Sequence, residues 1–221
     1  MPVTRADLEQ NRARKALARS SLAQELLSDE DLEASLRRTL WRHTPGADLW
    51  LFGYGSLVWN PSVRFLERGP AMLHGYHRRF CLWSRINRGT PERPGLALGL
   101  DSGGCCRGVV FRIPGAEVGA ELRILWRREM LMGSYLPRWV TVRRGGQRLT
   151  ALTFVINRAA SGYAGRLGEN EVAATLADAE GLYGTGAEYL LRTVEGLNHC
   201  GIPDRRLERL RNLVLARLGP P

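Results

Sequence analysis

The sequence predicts an α+β fold, a small mixed β-barrel with flanking helices and an N-terminal helical extension. Three observations lead to this fold class. Residues 1–47 are charged and helical in pattern, residues 48–157 hold mostly strand and turn patterns, and three helical patterns follow residue 168. Because a small sheet must cover its apolar face, we expect the strands to form a barrel-like body with helices packed around it.

Residues 1–47 form the predicted extension. Ser28, with Asp31 three residues later, has the spacing of a capping box, and leucines then recur every fourth residue up to Leu40. The Thr-Pro-Gly sequence at 44–46 ends this helix. We expect the extension to pack on the main domain or on a partner rather than to take part in catalysis.

Residues 48–157 supply the predicted strands. Leu96–Leu100 and Arg107–Ile113 have strand patterns, and the Asp-Ser-Gly-Gly sequence at 101–104 predicts a turn between them. A hairpin with a Gly-Gly turn is predicted over residues 139–157. Helices are predicted over four segments: 117–132, 169–181, 186–198 and 203–218.

Composition limits the compartment and the partners. The chain has 221 residues, of which 44% are hydrophobic and 24% charged, as in ordinary globular proteins. No apolar run approaches the roughly 18 residues of a membrane span. Residues 1–20 lack the apolar core of a secretory signal, so we expect a cytoplasmic protein without membrane contact. The net charge is +10, but the arginines are scattered, which argues against nucleic acid and suits an acidic small substrate.

The cysteines and histidines predict neither disulfides nor a metal site. The four cysteines contain no Cys-x-x-Cys pair, and Cys105 and Cys106 are adjacent, so they cannot easily bridge each other. The four histidines do not complete a ligand set. We therefore expect no bound metal.

The stretch 52–60 reads FGYGSLVWN and is the most informative motif in the chain. An apolar strand pattern runs into two glycines, which let the backbone turn sharply and approach a ligand closely. A strand ending this way directs several N–H groups into one small volume, where they can bind a carboxylate or a developing oxyanion. The alternative is a plain glycine turn between two strands. The predicted cradle has six residues: Gly53, Tyr54, Gly55, Ser56, Leu57 and Val58.

A glutamate lies on the apolar face of the helix predicted over 117–132. Counted at helical offsets, this face carries Leu122, Leu125, Trp126, Glu129 and Met130, and only the glutamate is charged. The arginines nearby, including Arg127 and Arg128, lie off this face. Glu129 should therefore point toward the interior or into a cleft.

Burial would give Glu129 the properties of a catalytic acid or base. Loss of hydration disfavours the charged form and raises the pKa of a carboxyl group, which brings it closer to neutral pH. Two alternatives are a glutamate paired with an arginine, and one at a frayed helix end that reaches water.

Three further residues are candidates for ligand contact. Arg79 and Arg88 have the charge to hold an anionic group, and Tyr163 lies in a glycine-flanked loop that could cover a ligand. Solvated arginines and a surface tyrosine are the alternatives. Ser56 lacks the Gly-x-Ser-x-Gly context of a nucleophile, and no histidine stands in an evident triad context.

Taken together, these motifs resemble the ChaC-type γ-glutamylcyclotransferases. The resemblance spans about residues 48–218, and its blocks keep the family's order and spacing. The main blocks are Gly53–Val58, Arg78–Phe80, Arg88–Pro91, Arg112–Pro114, Arg128–Met130, Tyr163–Gly165 and Glu188–Leu190.

The resemblance implies a γ-glutamylcyclotransferase-like catalytic domain over residues 48–221. It also implies a cofactor-free activity on glutathione that releases 5-oxoproline and cysteinylglycine, with Glu129 as acid/base and Gly53–Val58 as the substrate loop. Two alternatives stay open: a cyclotransferase for other γ-glutamyl peptides or amines, and a non-catalytic basic module that binds or regulates a partner. No pattern predicts an oligomeric state.

Overall fold

A computed structural model, which describes residues 3–219, has a closed five-stranded barrel at its centre. The barrel order is β1-β3-β2-β4-β5. Its strands are β1 (Leu49–Gly53), β2 (Glu67–Ser84), β3 (Gly95–Ile113), β4 (Tyr135–Arg144) and β5 (Gln147–Ile156). Strand β1 is antiparallel to β3 and parallel to β5, so the sheet is mixed. The predicted α+β barrel is confirmed.

Helices that come before and after β1 in the chain surround the barrel. Those before β1 are α1 (Arg5–Glu9), α2 (Arg12–Ala18) and α3 (Asp29–Leu40), and those after it are α4 (Ser56–Trp59), α5 (Val118–Glu129), α6 (Glu169–Asp178), α7 (Gly186–His199) and α8 (Arg205–Leu218). Between α6 and α7, β6 (Glu180–Gly181) and β7 (Gly184–Thr185) form a separate two-stranded sheet. Within residues 3–219, no helix is both long enough and apolar enough to cross a membrane.

The predicted turn at 101–104 is wrong, because these residues lie inside the continuous strand β3. Gly103 and Gly104 do adopt the positive φ values, +97° and +70°, that produce the turn signal. They sit opposite Gly75 of β2, where φ is +86° and the pairing register shifts. The long β2–β3 ladder absorbs these conformations as an irregularity, so the strand bends without reversing.

The predicted start of α3 is confirmed at the level of hydrogen bonds. The Ser28 hydroxyl accepts from the Asp31 amide at 3.0 Å, which satisfies one of the amides left open at a helix start. The predicted 139–157 hairpin is confirmed as β4 and β5, and its strands are longer than expected because pairing continues from Tyr135↔Ile156 to Arg144↔Gln147.

Helix α5 packs on the barrel core and thereby fixes the position of its own C-terminal end. Leu122 and Leu125 are fully buried, and Trp126 meets Phe154 of β5 edge to face, with ring centroids 5.3 Å apart. Burial of each such side chain stabilises the fold by about 1.5–3 kcal/mol. The last residue of this anchored helix is Glu129.

Candidate active site

Glu129 lies at the edge of a cavity of about 160 Å³ between α5, the barrel and the N-terminal helices. Its neighbours on the same helical face, including Trp126 and Met130, are buried, and its own side chain is 14% exposed. The prediction that this carboxylate points into a cleft is therefore confirmed.

The Glu129 carboxylate has one charged neighbour, Arg128, and its Oε1 atom is buried. Arg128 Nε is 3.1 Å from Glu129 Oε1, but their geometry is not that of a hydrogen bond. Within residues 3–219, Oε1 has no hydrogen-bond partner. Burial raises the pKa of Glu129 above the ordinary glutamate value, and the positive charge of Arg128 opposes this rise. Such a carboxylate can accept a proton from a ligand and release it again.

Arg128 ties the end of α5 to the segment that follows β1. It donates to the Ser56 hydroxyl at 2.8 Å, to the Asn60 carbonyl at 2.6 Å and to the Ser62 hydroxyl at 2.5 Å. Its side chain is only 8% exposed. We placed this arginine off the apolar face from sequence, and it is buried because its guanidinium finds these three acceptors. Arg128 is therefore a positioning residue that sequence periodicity missed.

The predicted cradle straddles the end of β1 and the start of α4. Ser56 lines the cavity, whereas Leu57 and Val58 are buried in the core. The Tyr54 hydroxyl donates to the Phe154 carbonyl at 2.9 Å, inside the barrel. Of the six predicted cradle residues, only Ser56 is among those that line the cavity. Contact between a ligand and the amides of this segment stays a prediction.

Both cradle glycines stand where a side chain would collide with a neighbour. A Cβ on Gly53 would lie 2.9 Å from the Leu57 Cβ, and one on Gly55 would lie 3.1 Å from the Tyr189 hydroxyl. Contacts this short require neighbouring groups to shift. The two glycines thus allow the loop to approach its own helix and the tyrosine on α7.

Two buried tyrosines border the same cavity. The Tyr135 hydroxyl donates to the Leu98 carbonyl at 2.8 Å, and the Leu98 amide points toward the Tyr189 hydroxyl at 3.4 Å. Burial is the main cause that raises the pKa of both tyrosines, and the nearby charge of Glu129 raises it further. Both hydroxyls therefore stay protonated. Tyr135 was not singled out from the sequence, and Tyr189 was noted only within the block Glu188–Leu190.

Arg88 lines the cavity but is already engaged by the protein. It donates to the Tyr183 carbonyl at 2.6 Å and lies 3.4 Å from the Glu188 carboxylate. Its guanidinium carbon is 5.4 Å from the centroid of the Tyr189 ring. This arginine therefore packs against Tyr189, and its contact with substrate stays a prediction.

Arg79 and Tyr163 are not among the residues that line the cavity. Both bind Asp101, Arg79 at 3.3 Å and Tyr163 through its hydroxyl at 3.1 Å. Arg79 also donates to the Gly165 carbonyl at 2.6 Å. These bonds fasten the loop after β5 to the barrel, while the predicted substrate contacts of both residues remain untested predictions.

The cavity offers no pairing of a nucleophile with a base. The Ser56 hydroxyl accepts from Arg128, and no histidine or cysteine is found among the described residues that line the cavity. No group of three or more His, Cys, Asp or Glu side chains within residues 3–219 is placed to hold a metal ion. What the site presents is one buried carboxylate beside hydroxyl and amide donors.

A comparison with known proteins identifies the family. The family model described as ChaC-like protein matches residues 49–217. The glutathione-specific gamma-glutamylcyclotransferase of Escherichia coli K12 is 38% identical over 186 residues, which cover 84% of this chain and 80% of that protein. Glutathione-specific gamma-glutamylcyclotransferase 1 of Homo sapiens is 34% identical over 171 residues, which cover 75% of this chain and 77% of that protein.

Solved structures give the same result for the fold. The selenomethionine-labelled crystal structure of a gamma-glutamyl cyclotransferase specific to glutathione, from yeast, superposes with a TM-score of 0.71. The two sequences are 23% identical, and the superposition covers 78% of this chain and 97% of the yeast chain. On the strength of the family model and of these relatives, the chain belongs to the ChaC-like family.

Proposed function

We propose that this protein is a glutathione-specific γ-glutamylcyclotransferase that converts glutathione into 5-oxoproline and cysteinylglycine. The observation that carries this proposal is Glu129, a largely buried carboxylate whose Oε1 has no hydrogen-bond partner within residues 3–219. No other evident base is found among the described residues that line the cavity. Relatives at 34–38% identity that carry this activity in their names support the choice of substrate. A carboxylate in the cavity lining favours an enzyme over a purely binding module.

The reaction is an intramolecular aminolysis. The α-amine of the γ-glutamyl group attacks its own γ-carbonyl carbon, the new C–N bond closes a five-membered lactam, and the original amide C–N bond breaks. Because the nucleophile belongs to the substrate, no serine or cysteine nucleophile is needed. Ser56, one of the serines that line the cavity, is bonded to Arg128.

Glu129 would carry the proton between the two nitrogens. At neutral pH the α-amine is protonated and cannot attack. The carboxylate removes this proton, and the resulting carboxylic acid returns one to the departing amide nitrogen, so one residue acts as base and then as acid. The raised pKa of Glu129 suits both half-steps, since a group that binds its proton more readily is a better base.

The cradle residues would orient the substrate and stabilise its charge. In this proposal the amides of Gly53–Val58 meet the γ-glutamyl group and the oxygen that becomes negative during ring closure. Each donor of this kind contributes about 3 kcal/mol in other enzymes. Holding the flexible γ-glutamyl chain in its ring-closing shape removes much of the entropic barrier.

We further propose that the enzyme works in the cytoplasm and without a cofactor. All four cysteines are free thiols, and Cys105 is exposed, which suits a reducing compartment. The mechanism above needs only proton transfer and positioning, which side chains and amides provide.

Incubation of the wild-type protein with a panel of γ-glutamyl compounds tests the proposal. Mass detection should find 5-oxoproline and cysteinylglycine in equal amounts from glutathione, at a kcat/KM well above that for γ-glutamyl amines. Efficient 5-oxoproline formation only from the other compounds would assign the protein to a different substrate class. No 5-oxoproline from any of them would refute the proposed activity.

A further inference from the structure

We infer that residues 3–27 form a wall of the active site and select the departing part of the substrate, favouring a compact apolar side chain next to the γ-glutamyl group. This inference rests on the proposed cyclotransferase activity and adds a role for the N-terminal extension. From sequence we expected that extension to pack on the main domain or on a partner rather than to take part in catalysis.

The segment supplies much of the apolar lining of the cavity that holds Glu129. Five of its side chains face this cavity: Val3, Leu8, Ala13, Leu17 and Leu22. The three leucines are only 4%, 3% and 6% exposed. Apolar residues of the body complete this part of the lining: Trp59, Leu82, Leu131 and Met132.

Three polar contacts attach the segment to residues that themselves line the cavity. The Asn60 side-chain amide donates to the Val3 carbonyl at 2.7 Å. At the other end, Arg85 donates to both oxygens of Glu25 at 2.9 and 2.6 Å. The segment ends where its last amide donates to the Leu131 carbonyl at 3.0 Å. Along the chain, the cavity-lining leucines thus lie between attachments at Val3 and at Glu25.

A partly buried ion pair fixes α1 to α5, the helix that carries Glu129. Arg5 donates to both oxygens of Glu121 at 2.7 and 2.9 Å, and the Arg64 amide donates to Glu121 at 3.0 Å. Glu121 is 1% exposed and lies two turns before Glu129 on α5. Helices as short as α1 and α2 are unstable alone, so these contacts and the leucine packing hold the wall in place.

The chemistry of the cavity decides which part of the substrate meets this wall. The γ-glutamyl group carries an ammonium and a carboxylate, and burial of either against leucines would be costly. Polar partners for them, such as Ser56 and Glu129, lie on the body side. The apolar side is then left for the side chain of the departing residue. A cysteinyl side chain fits because a thiol behaves as a small apolar group.

Enlarging the wall tests this inference. Leu17→Ala removes a cavity-lining side chain, and Leu36→Ala is its matched control, an equally buried leucine (3% exposed) of the same extension that does not line the cavity. We compare kcat/KM for glutathione and for S-butylglutathione, whose departing side chain is longer by four carbons. Leu17→Ala should raise the S-butyl to glutathione ratio by about tenfold or more, while Leu36→Ala should leave the wild-type ratio unchanged.

The outcomes separate the wall from the activity. Suppose that both Leu17→Ala and a second wall variant, Leu22→Ala, keep glutathione turnover and the wild-type ratio of the two kcat/KM values. The inferred role of residues 3–27 is then refuted. If the wild-type protein makes no 5-oxoproline from either compound, the proposed function fails instead. In that case, calorimetric binding of both compounds to the wild-type protein and to Leu17→Ala still tests the wall. Tighter binding of the S-butyl compound only in Leu17→Ala supports the wall. Equal changes in both proteins, or no binding, contradict it.

Discussion

The two sides of the cavity are built in different ways. On the body side, Glu129 and Tyr135 stand on elements fixed by the barrel core, and Arg128 joins these to the loop after β1 through three hydrogen bonds. On the other side, α1 and α2 are short helices held by a few polar attachments and by leucine burial. A barrel fixes reacting groups to within the small tolerance that catalysis needs, whereas an apolar wall needs only size and shape. Under the two proposals above, proton transfer belongs to the body and selectivity to the extension.

The largest effect on the body side is expected from crowding of the cradle. Gly55→Val places carbon atoms where a Cβ would already lie 3.1 Å from the Tyr189 hydroxyl. We expect kcat/KM for glutathione to fall by at least about a hundredfold, because small misplacements of reacting groups are this costly. The control is Gly168→Val, at a glycine with open space around it and φ of −69°. Equal activity of both variants would argue against the cradle.

Arg128→Met should loosen the body side less severely. The change removes the bonds to Ser56, Asn60 and Ser62 while keeping an apolar stem, so we expect kcat to fall by about ten- to a hundredfold. Arg123→Met is the control on the same helix, since the Arg123 side chain is 57% exposed. If Arg128→Met retains wild-type kcat, the guanidinium does not position the site.

The pH dependence of kcat sharpens the assignment of Glu129. Burial raises the pKa of this carboxyl group, and the base must be ionised, so activity should fall as the pH drops through a value above the ordinary glutamate pKa of about 4.3. Because Arg128 lowers this pKa, its loss should move the acidic limb to higher pH. A pH profile of the residual activity of Arg128→Met measures this shift. An unchanged acidic limb would show that Arg128 does not affect the pKa of the group that titrates.

The smallest effect is expected at the attachment of the wall. Arg5→Ala removes the partner of buried Glu121, but the Arg5 side chain is 35% exposed, so we expect a loss of only about 1–2 kcal/mol in the free energy of unfolding. Urea titration measures it, with Arg12→Ala as a control at a more exposed ion pair. Equal losses in the two variants would show that the Glu121 pair is no stronger than a surface contact.

The stabilising effect of the Arg5–Glu121 ion pair depends on pH. Burial alone would raise the pKa of Glu121, but hydrogen bonds from Arg5 and from the Arg64 amide outweigh it, and the pKa lies below its usual value. A lowered pKa in the folded protein stabilises the fold above the unfolded value of about 4.3 and loses this effect as the pH falls through the folded value. The difference between wild type and Arg5→Ala should therefore shrink in acid.

Local patterns in the sequence were enough for several of the elements and for the central carboxylate. The face of α5 could be predicted because its apolar residues recur at helical spacing, which places Glu129 toward the interior without further knowledge. The cap at Ser28 and the hairpin of β4 and β5 also follow from short-range patterns. The turn predicted at 101–104 failed because glycines with positive φ serve a strand irregularity as well as a reversal.

Contacts between distant parts of the chain were beyond the reach of such patterns. Arg128 and Ser56 are 72 positions apart, and the hydrogen bond between them depends on how α5 docks on the barrel. Likewise, nothing local to Leu17 indicates that it faces a cavity rather than a core. Both the positioning arginine and the wall therefore emerge only in three dimensions.

The most direct test of the account is turnover of glutathione by Glu129→Gln. Glutamine keeps the shape of the side chain but cannot accept the proton, so we predict that kcat falls by about a hundredfold or more, while the unfolding transition and glutathione binding stay close to wild type. Formation of 5-oxoproline by this variant at a rate near that of the wild-type protein would contradict the central role of Glu129.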